Sequence, residues 1–306
     1  MQTSRIRIGT RGSPLALKQA EETRDKLVAA HSLAADAIEI VVITTTGDRV
    51  RDRPLSEIGG KGLFTKEIEE ALVANEIDLA VHSMKDMPAE FPGGLDIVCL
   101  MEREDPRDAF MSPVATSLAA LPQGAVVGSS SVRRAAQAKR LRPDLEIVQY
   151  RGNVDTRLKK LKAGEVSATF LACAGLVRLG LAAEITQAVP VEDMLPAVAQ
   201  GAIGIEVRLD DDRIRGLLAP LHHTPTAHII AAERGFLCAL DGSCRTPLAG
   251  HATLDGDTVA FHGAALTMDG SAMFEARRSG AVGDAEALGR DAAEEVKAAA
   301  GSRLFA

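Results

Sequence analysis

Residues 67–81 read EIEEALVANEIDLAV and residues 156–170 read TRLKKLKAGEVSATF, and these two stretches decide the fold. Each begins with helically spaced apolar residues, continues through a short turn and a glutamate, and ends in a strand-like segment in the same register. Because the unit occurs only twice, it indicates two similar α/β lobes rather than a solenoid. Alternating strands and helices predict mostly parallel sheets with ligands at the carboxyl ends of the strands. Two such lobes side by side make a cleft.

The segments around these stretches continue the alternation. Ser13 and Pro14 are a favourable N-cap and first helical residue, so a helix is predicted over 15–28. Short apolar runs rich in β-branched residues predict buried strands. The predicted strands are 5–9, 38–43, 77–81, 125–128, 146–149 and 166–171, and the predicted helices of the second lobe are 132–141 and 154–163.

The last part of the chain has a different pattern. A helix is predicted from Thr224 to about residue 240, followed by a polar loop over 241–247. Three strand-like runs come next, separated by Asp-Gly pairs that are typical of hairpin turns. The runs are about 248–254, 258–266 and 272–279, and the Asp-Gly pairs are 255–256 and 269–270. With a final alanine-rich helix from about Asp284, they predict a small antiparallel α+β domain.

The composition excludes several classes of protein. With 46% hydrophobic and 25% charged residues among 306, the chain is expected to be globular, with two or three domains. The absence of tryptophan and a net charge of −7 argue against a nucleic-acid partner. No apolar run approaches the roughly 20 residues of a membrane helix, and no secretory signal precedes the first strand. The four cysteines form no CxxC pair, which indicates a reducing cytoplasm.

Positive charge is concentrated in one part of this acidic chain. Residues 128–162 contain ten Lys and Arg against three Asp and Glu. A basic region inside an acidic protein indicates a specific anionic ligand. The alternative is a solvated helix surface, which suits Lys139, Arg140, Lys159 and Lys160. A binding site is favoured for the arginines that follow predicted strand ends, which are Arg133, Arg134 and Arg151.

Small-residue loops precede helices in matching places of the two lobes. Residues 128–131 (GSSS) offer backbone N–H groups and hydroxyls at a helix N-terminus, which is an anion-binding arrangement. Residues 10–13, which include Arg11, repeat it in the first lobe. Each loop alone is a weak signal, but two facing one cleft favour a shared anionic ligand.

The sequence GGKG at 59–62 does not fit a P-loop. Leu55 stands where the first glycine should be, and Gly62 replaces the Ser or Thr that follows the lysine. We interpret the segment as a mobile, glycine-hinged loop that carries Lys61.

The segment 82–86 (HSMKD) directly follows a predicted strand, at the end where α/β sites are built. An aspartate beside a lysine is commonly a surface pair, so surface and catalytic roles are both open for Lys85 and Asp86. The seven histidines show neither HxxxH nor HExxH spacing, so no metal site is predicted.

Cys244 differs from the other cysteines. It lies in the polar loop DGSCRTP beside Arg245, which favours the thiolate. Cys99, Cys173 and Cys238 lie in apolar segments and are predicted to be small core residues. Cys244 is therefore the best nucleophile in the chain, with an unreactive loop thiol as the alternative.

Eight segments together resemble the porphobilinogen deaminase (hydroxymethylbilane synthase) family. They are GTRGSPLAL (9–17), GGKGLFTKEIE (59–69), VHSMKDMP (81–88), EREDPRDAF (102–110), GSSSVRR (128–134), RGNVDTRL (151–158), LPAVAQGAIGIE (195–206) and LDGSCRTP (240–247). The resemblance implies a first domain of 1–100 with 200–219, a second of 101–199, and a third of 220–306. The first two would be lobes similar to those of periplasmic binding proteins, and the third would carry the Cys244 loop.

The resemblance also implies a reaction. Four porphobilinogen molecules would be joined head to tail, with loss of ammonia, on a dipyrromethane cofactor held by a thioether to Cys244. Hydrolysis would then release hydroxymethylbilane from this transferase, a cytoplasmic monomer. Asp86 matches the family's catalytic aspartate, and Phe64 matches a lid position. The positions that match substrate- and cofactor-binding residues are Arg11, Ser13, Lys61, Ser83, Lys85, Ser129, Ser131, Arg133, Arg134, Arg151, Arg157 and Gln200.

A two-lobed anion-binding protein without catalysis is the rival interpretation. It explains the cleft and the arginines but leaves Cys244 and Asp86 without a role. The intact mass separates the two, because only the enzyme carries an adduct of two pyrrole units.

We predict that Cys244, and none of the other cysteines, carries this adduct, because Cys244 alone lies in a polar loop. The Cys244→Ser chain should show the bare mass by intact mass spectrometry, whereas Cys99→Ser should keep the adduct. Full occupancy on the Cys244→Ser chain would contradict the assignment.

Overall fold

The structure, a computed structural model, describes residues 5–49, 62–242 and 246–305. The chain divides into two compact units. The first contains residues 5–49, 62–104 and 202–227, and the second contains 105–201, 228–242 and 246–305. Lys61 and Cys244, which is predicted to carry the cofactor, lie outside the described residues, so what is expected of them stays a prediction.

Strands and helices alternate through most of the chain. The strands are β1 (Ile6–Arg11), β2 (Ile38–Ile43), β3 (Leu79–Ser83), β4 (Leu95–Leu100), β5 (Asp108–Met111), β6 (Val126–Gly128), β7 (Glu146–Val148), β8 (Ala168–Ala172), β9 (Gln187–Ala188), β10 (Ile203–Arg208), β11 (Leu248–Asp255), β12 (Thr258–Leu266) and β13 (Met273–Ala281). The helices are α1 (Pro14–His31), α2 (Thr46–Arg49), α3 (Lys66–Val73), α4 (Val132–Leu141), α5 (Val154–Lys162), α6 (Cys173–Arg178), α7 (Asp212–Leu218), α8 (Thr224–Ala239) and α9 (Ala285–Ala300). Among the described residues, none of these helices has the length and apolar character that crossing a bilayer requires.

Each unit contains a five-stranded sheet, and the two sheets follow the same order. The first is β2-β1-β3-β10-β4 and the second is β7-β6-β8-β5-β9. In each sheet the first three strands are parallel, and the fourth runs antiparallel to both of its neighbours. The strands of the two matching sequence stretches, β3 and β8, occupy the central position. The prediction of two similar α/β lobes is confirmed.

The prediction of mostly parallel sheets is correct only for the first three strands of each sheet. The fourth strand, β10 or β5, begins soon after the chain has passed from one unit into the other. Parallel neighbours within one unit are joined by a crossover, usually a helix. A strand that arrives from the other unit has no such crossover. The alternation of elements therefore could not indicate its direction.

Helix α1 begins as the sequence predicts and positions part of the candidate site. The Ser13 side chain accepts a hydrogen bond from the Ala16 N–H at 3.2 Å, and Pro14 is the first helical residue. The buried face of the helix packs through Ala20 and Leu27 onto the apolar strands of the first sheet. This packing places the N-terminal turn of α1 beside the carboxyl end of β1.

The C-terminal elements form a three-stranded antiparallel sheet in the order β11-β12-β13. Both predicted hairpins are present, and Gly256 (φ 54°) and Gly270 (φ 73°) adopt the left-handed backbone that such turns require. The predicted small antiparallel α+β element is therefore confirmed. The boundaries of the three-domain division stay a prediction.

Gly289 of α9 lies directly against the backbone of α8. A Cβ at this position would lie 1.9 Å from the carbonyl oxygen of Ala232. The change Gly289→Ala should lower the free energy of unfolding by about 1–3 kcal/mol in urea titrations, because α9 must move away from α8.

The matched control is Gly216→Ala in α7, where an added Cβ meets nothing within 4 Å. That change should raise the free energy of unfolding by about 0.5–1 kcal/mol, because alanine favours a helix. Equal effects of the two changes would contradict the close approach of α8 and α9.

Candidate active site

A pocket in the first unit lies at the carboxyl ends of β1 and β3. These strands are parallel neighbours, so their ends meet at one edge of the sheet. Asp86 lies in the 3-10 turn Met84–Asp86 that directly follows β3. The predicted residues that line the pocket are Arg11, Ser13, Phe64, Ser83 and Asp86. The structure thus brings together residues from three separate sequence segments, and their roles stay predictions.

Arg11, which lines this pocket, is paired with the carboxylate of Asp48. Its guanidinium donates two hydrogen bonds to Asp48, one of them from Nε to Oδ2 at 3.2 Å, and lies 4.1 Å from the ring centre of Phe64. Burial raises the pKa of Asp48, but the hydrogen bonds and charge of Arg11 outweigh it, and the pKa lies below its usual value. The Thr45 hydroxyl adds a further hydrogen bond at 2.8 Å. The geometry shows that Arg11 is placed to bind a carboxylate at two points.

Gln19 is a pocket residue that sequence reasoning missed. It lies on the buried face of α1, 4% exposed, and lines the pocket. Its side-chain amide donates to Ser83 Oγ at 2.8 Å and accepts from the same hydroxyl at 3.1 Å. A glutamine that helical spacing places on the buried face of α1 was the available signal, because a buried amide needs a polar partner.

The second unit contains a buried cluster around Asp108. Arg133 donates to both Asp108 oxygens, at 2.7 and 3.1 Å, and Arg134 donates to Oδ1 from Nε and Nη2, at 2.9 and 2.7 Å. All three side chains are nearly inaccessible to solvent. Burial alone would raise the pKa of Asp108, but the charges of the two arginines hold it well below its usual range. Two of the predicted arginines are therefore paired inside the protein.

Gln200 joins this cluster. Its amide donates to Asp108 Oδ1 at 3.0 Å and to the Pro106 carbonyl at 2.8 Å, and its oxygen accepts from Arg134 at 3.5 Å. Ala199 (φ 59°) supplies the left-handed turn that leads into this residue. Asp108 itself was missed by the sequence analysis, although it lies within the quoted segment 102–110. A lone aspartate at a strand start does not reveal which arginines it will meet.

Arg157 lies close to both Arg134 and Arg151 in the same unit. Burial lowers the pKa of Arg157 to about 10, and the positive charges of Arg134 and Arg151 add to the shift. Nη1 of Arg151 is buried without a hydrogen-bond partner among the described residues. The neighbouring positive charges and the unpartnered Nη1 of Arg151 favour an anionic ligand. A carboxylate would accept a hydrogen bond from this Nη1 and reduce the repulsion between the guanidiniums.

The remaining predicted residues make local contacts. The Ser129 hydroxyl donates to the Ser131 carbonyl at 3.1 Å, and the Ser131 hydroxyl caps α4 by accepting from the Arg134 N–H at 3.4 Å. Lys85 lies in the same short turn as Asp86. Ser131 therefore meets the charged cluster through the backbone N–H of Arg134.

Two of the three cysteines predicted to lie in the core do so. Cys99 and Cys173 are buried, and burial raises the pKa of each thiol to about 12. Neither is suited to act as a nucleophile. Cys238, in α8, is only partly buried, so the prediction of a core position is wrong for this residue.

Two family models cover most of the chain. Residues 6–216 match "Porphobilinogen deaminase, dipyromethane cofactor binding domain", and residues 227–298 match "Porphobilinogen deaminase, C-terminal domain". The porphobilinogen deaminase of Paracoccus denitrificans is 59% identical over 300 residues, which is 98% of this chain and 96% of that protein.

Solved structures of two binding proteins are also similar. A periplasmic substrate-binding protein of an ABC transporter from Coxiella burnetii has a TM-score of 0.44 at 16% identity, with 75% of this chain and 96% of that chain covered. The periplasmic aliphatic sulphonate binding protein of Escherichia coli has a TM-score of 0.41 at 14% identity, with 76% and 70% covered.

We predict that Asp108→Asn lowers the free energy of unfolding by about 3–5 kcal/mol at neutral pH, because it leaves two buried guanidiniums without a counter-charge. The pKa of Asp108 is lower in the folded state, so its contribution is present above the unfolded pKa near 4 and is lost as the pH falls through the folded value. Urea titrations should therefore show a constant difference from the wild type above about pH 5, and a shrinking one below about pH 4.

The control is Asp257→Asn, an exposed aspartate of the same unit. This change should move the free energy of unfolding by no more than about 0.5 kcal/mol. A difference for Asp108→Asn that does not change with pH would contradict the ion cluster.

Proposed function

Because the chain belongs to the porphobilinogen deaminase family, we propose that it catalyses the head-to-tail joining of porphobilinogen with loss of ammonia. Four molecules are joined on a dipyrromethane cofactor, and hydrolysis releases hydroxymethylbilane. The proposed roles of the site residues are supported by one observation, which is that Asp86, Arg11 and Ser83 line the same pocket.

The residues of the second unit fit the dipyrromethane cofactor. Each pyrrole ring carries two carboxylates, and the buried, unused Arg151 Nη1 and the mutually repelling arginines offer donors of the right chemistry. We propose that Arg133, Arg134, Arg151 and Arg157 hold these carboxylates, with Gln200, Ser129 and Ser131 beside them, and that Cys244 forms the thioether. When bound, the cofactor supplies the nucleophilic pyrrole carbon to which the first substrate is joined.

Arg11 binds a carboxylate of the incoming porphobilinogen in this proposal. Arg11 already holds Asp48 through two hydrogen bonds, and Phe64 supports the guanidinium from one side. A substrate carboxylate would take the place of Asp48 on the same donors. Ser13, Ser83, Lys61 and Lys85 are proposed as further contacts of the substrate.

Asp86 stabilises positive charge during the reaction. Departure of ammonia leaves a cation on the substrate ring, and formation of the new carbon–carbon bond leaves a pyrrolium. A carboxylate already held in the pocket stabilises both without reorganising at the moment of reaction. Asp86 follows β3 directly, so the sheet fixes its position.

We propose further that the enzyme acts as a monomer in the cytoplasm without a nucleic-acid partner. The scattered cysteines and the net charge of −7 support this. Light scattering should give a mass close to 32.2 kDa plus the cofactor across a tenfold range of concentration. A mass that doubles on concentration would contradict the monomer.

We predict that Asp86→Asn lowers turnover by about two to three decades, because it removes the charge while it keeps the shape. Binding of porphobilinogen should fall much less, because the charge acts mainly in the transition state. Asp86→Glu keeps the charge at a slightly different place and should retain slow activity.

The measurement is single-turnover coupling, on protein whose intact mass shows full cofactor occupancy. If the asparagine variant proves as active as the glutamate variant, the carboxylate charge is not the catalytic element.

A further inference from the structure

A buried histidine–glutamate pair lies beside the pocket that contains Asp86. His82 Nε2 and Glu206 Oε2 are 3.0 Å apart, and the two side chains are 5% and 0% exposed. In the antiparallel register of β3 and β10, His82 lies opposite Gly204, two positions from Glu206, so both side chains project from one face of the sheet. Helix α3 packs on that face through Ile68. The reaction described so far uses neither residue.

Three oxygen atoms around this pair have no hydrogen-bond partner among the described residues, although each is buried. They are Glu206 Oε1, Glu69 Oε1 and Thr65 Oγ1. Burial raises the pKa of Glu69, and the charge of Glu206 adds to the shift. Buried acceptors without donors are unfavourable, and an added proton would satisfy part of this need.

His82 is the member of the pair that lines the pocket. Both His82 and Thr65 line the pocket together with Ser83 and Asp86. Glu206 occupies Nε2, so Nδ1 is the ring nitrogen left for a ligand. A carboxylate behind an imidazole fixes its tautomer and stabilises the positive charge that forms when the ring accepts a proton.

The coupling step requires such an acceptor. When the methylene carbon of one ring bonds to the free α-carbon of the next, that α-carbon still carries its hydrogen. The hydrogen must leave as a proton, and the electrons of the C–H bond return to the ring. If Asp86 took this proton, it would lose the negative charge that stabilises the cation of the following cycle.

We propose that His82, held by Glu206, accepts the proton lost from the pyrrole α-carbon while Asp86 stays ionised. This inference rests on the proposed function. His82 then passes the proton to the ammonia released in the same cycle, which leaves as ammonium, so atoms and charge balance. Glu206 is a positioning residue, because it acts only through the imidazole.

The test uses the holoenzyme and porphobilinogen deuterated at the free α-carbon. His82→Gln keeps a hydrogen-bonding side chain but cannot hold the proton, so kcat should fall about 10²-fold with KM changed less than about threefold. Removal of the proton then limits the rate, so the deuterium isotope effect on kcat should rise above that of the wild type. A merely structural role would slow all steps and leave the isotope effect unchanged.

His31→Gln is the matched control. His31 lies in the same unit, and its Nε2 contacts the Leu217 carbonyl at 2.7 Å, away from the pocket residues. This variant loses a hydrogen-bonded imidazole of comparable kind, and its kcat and isotope effect should remain those of the wild type. Intact mass should show the cofactor adduct on every variant compared.

Glu206→Gln provides a second test and a readout that does not depend on activity. It should lower kcat about tenfold, because the carboxylate no longer stabilises the charged ring. The ¹⁵N imidazole shifts of His82 in the holoenzyme should show the Nε2-protonated tautomer in the wild type and a changed tautomer ratio in E206Q. If H82Q fails to fold or to load the cofactor, the kcat and the tautomer ratio of E206Q test the proposal instead.

The outcomes separate this inference from the function on which it rests. If the wild-type holoenzyme makes no hydroxymethylbilane, the proposed function fails. If it does, and H82Q or E206Q keeps the wild-type kcat and isotope effect, the proton acceptor alone is overturned. An isotope effect that rises in Asp86→Asn but not in H82Q would assign the proton to Asp86 and equally overturn the proposal.

Discussion

The carboxylate of Asp108 is the interaction on which the second unit depends. It is fully buried and accepts hydrogen bonds from Arg133, Arg134 and Gln200. Without it, the inner face of α4 would carry two guanidiniums into the protein with no counter-charge, which is strongly unfavourable. One carboxylate between two arginines also leaves a net positive charge. The same cluster can therefore stabilise the fold and attract an anionic ligand.

The first unit uses a related arrangement on a sheet of the same order. There the cation is Arg11, and the carboxylate that neutralises it comes from Asp48, outside the sheet. In both units an arginine near a strand end meets a carboxylate from another sequence segment. The difference is burial, since Asp108 is inaccessible whereas Asp48 is partly exposed. A ligand carboxylate can displace the exposed partner far more easily than the buried one.

Local patterns predicted much of the fold. Helix α4 spans 132–141 as the sequence predicts, and the Ser131 side chain caps it by accepting from the Arg134 N–H. The C-terminal hairpins follow from their Asp-Gly turns. The pocket could be anticipated as well, because residues after β1 and β3 meet wherever those strands are parallel neighbours. The helix and the hairpins depend on residues close together in the chain, whereas the pocket depends on the pairing of two strands.

The two similar lobes, the antiparallel C-terminal sheet and the segments that carry the charged residues all follow from local patterns in the sequence. Which of the charges meet follows from the tertiary fold. The direction of β10, the partner of Arg133 and the contact between His82 and Glu206 all join residues far apart in the chain. Hydrophobic spacing records which face of an element is buried, but it carries no information about the distant polar group that will lie opposite. That choice follows from strand order and packing, because a buried charge is tolerated only where the fold brings a partner to it.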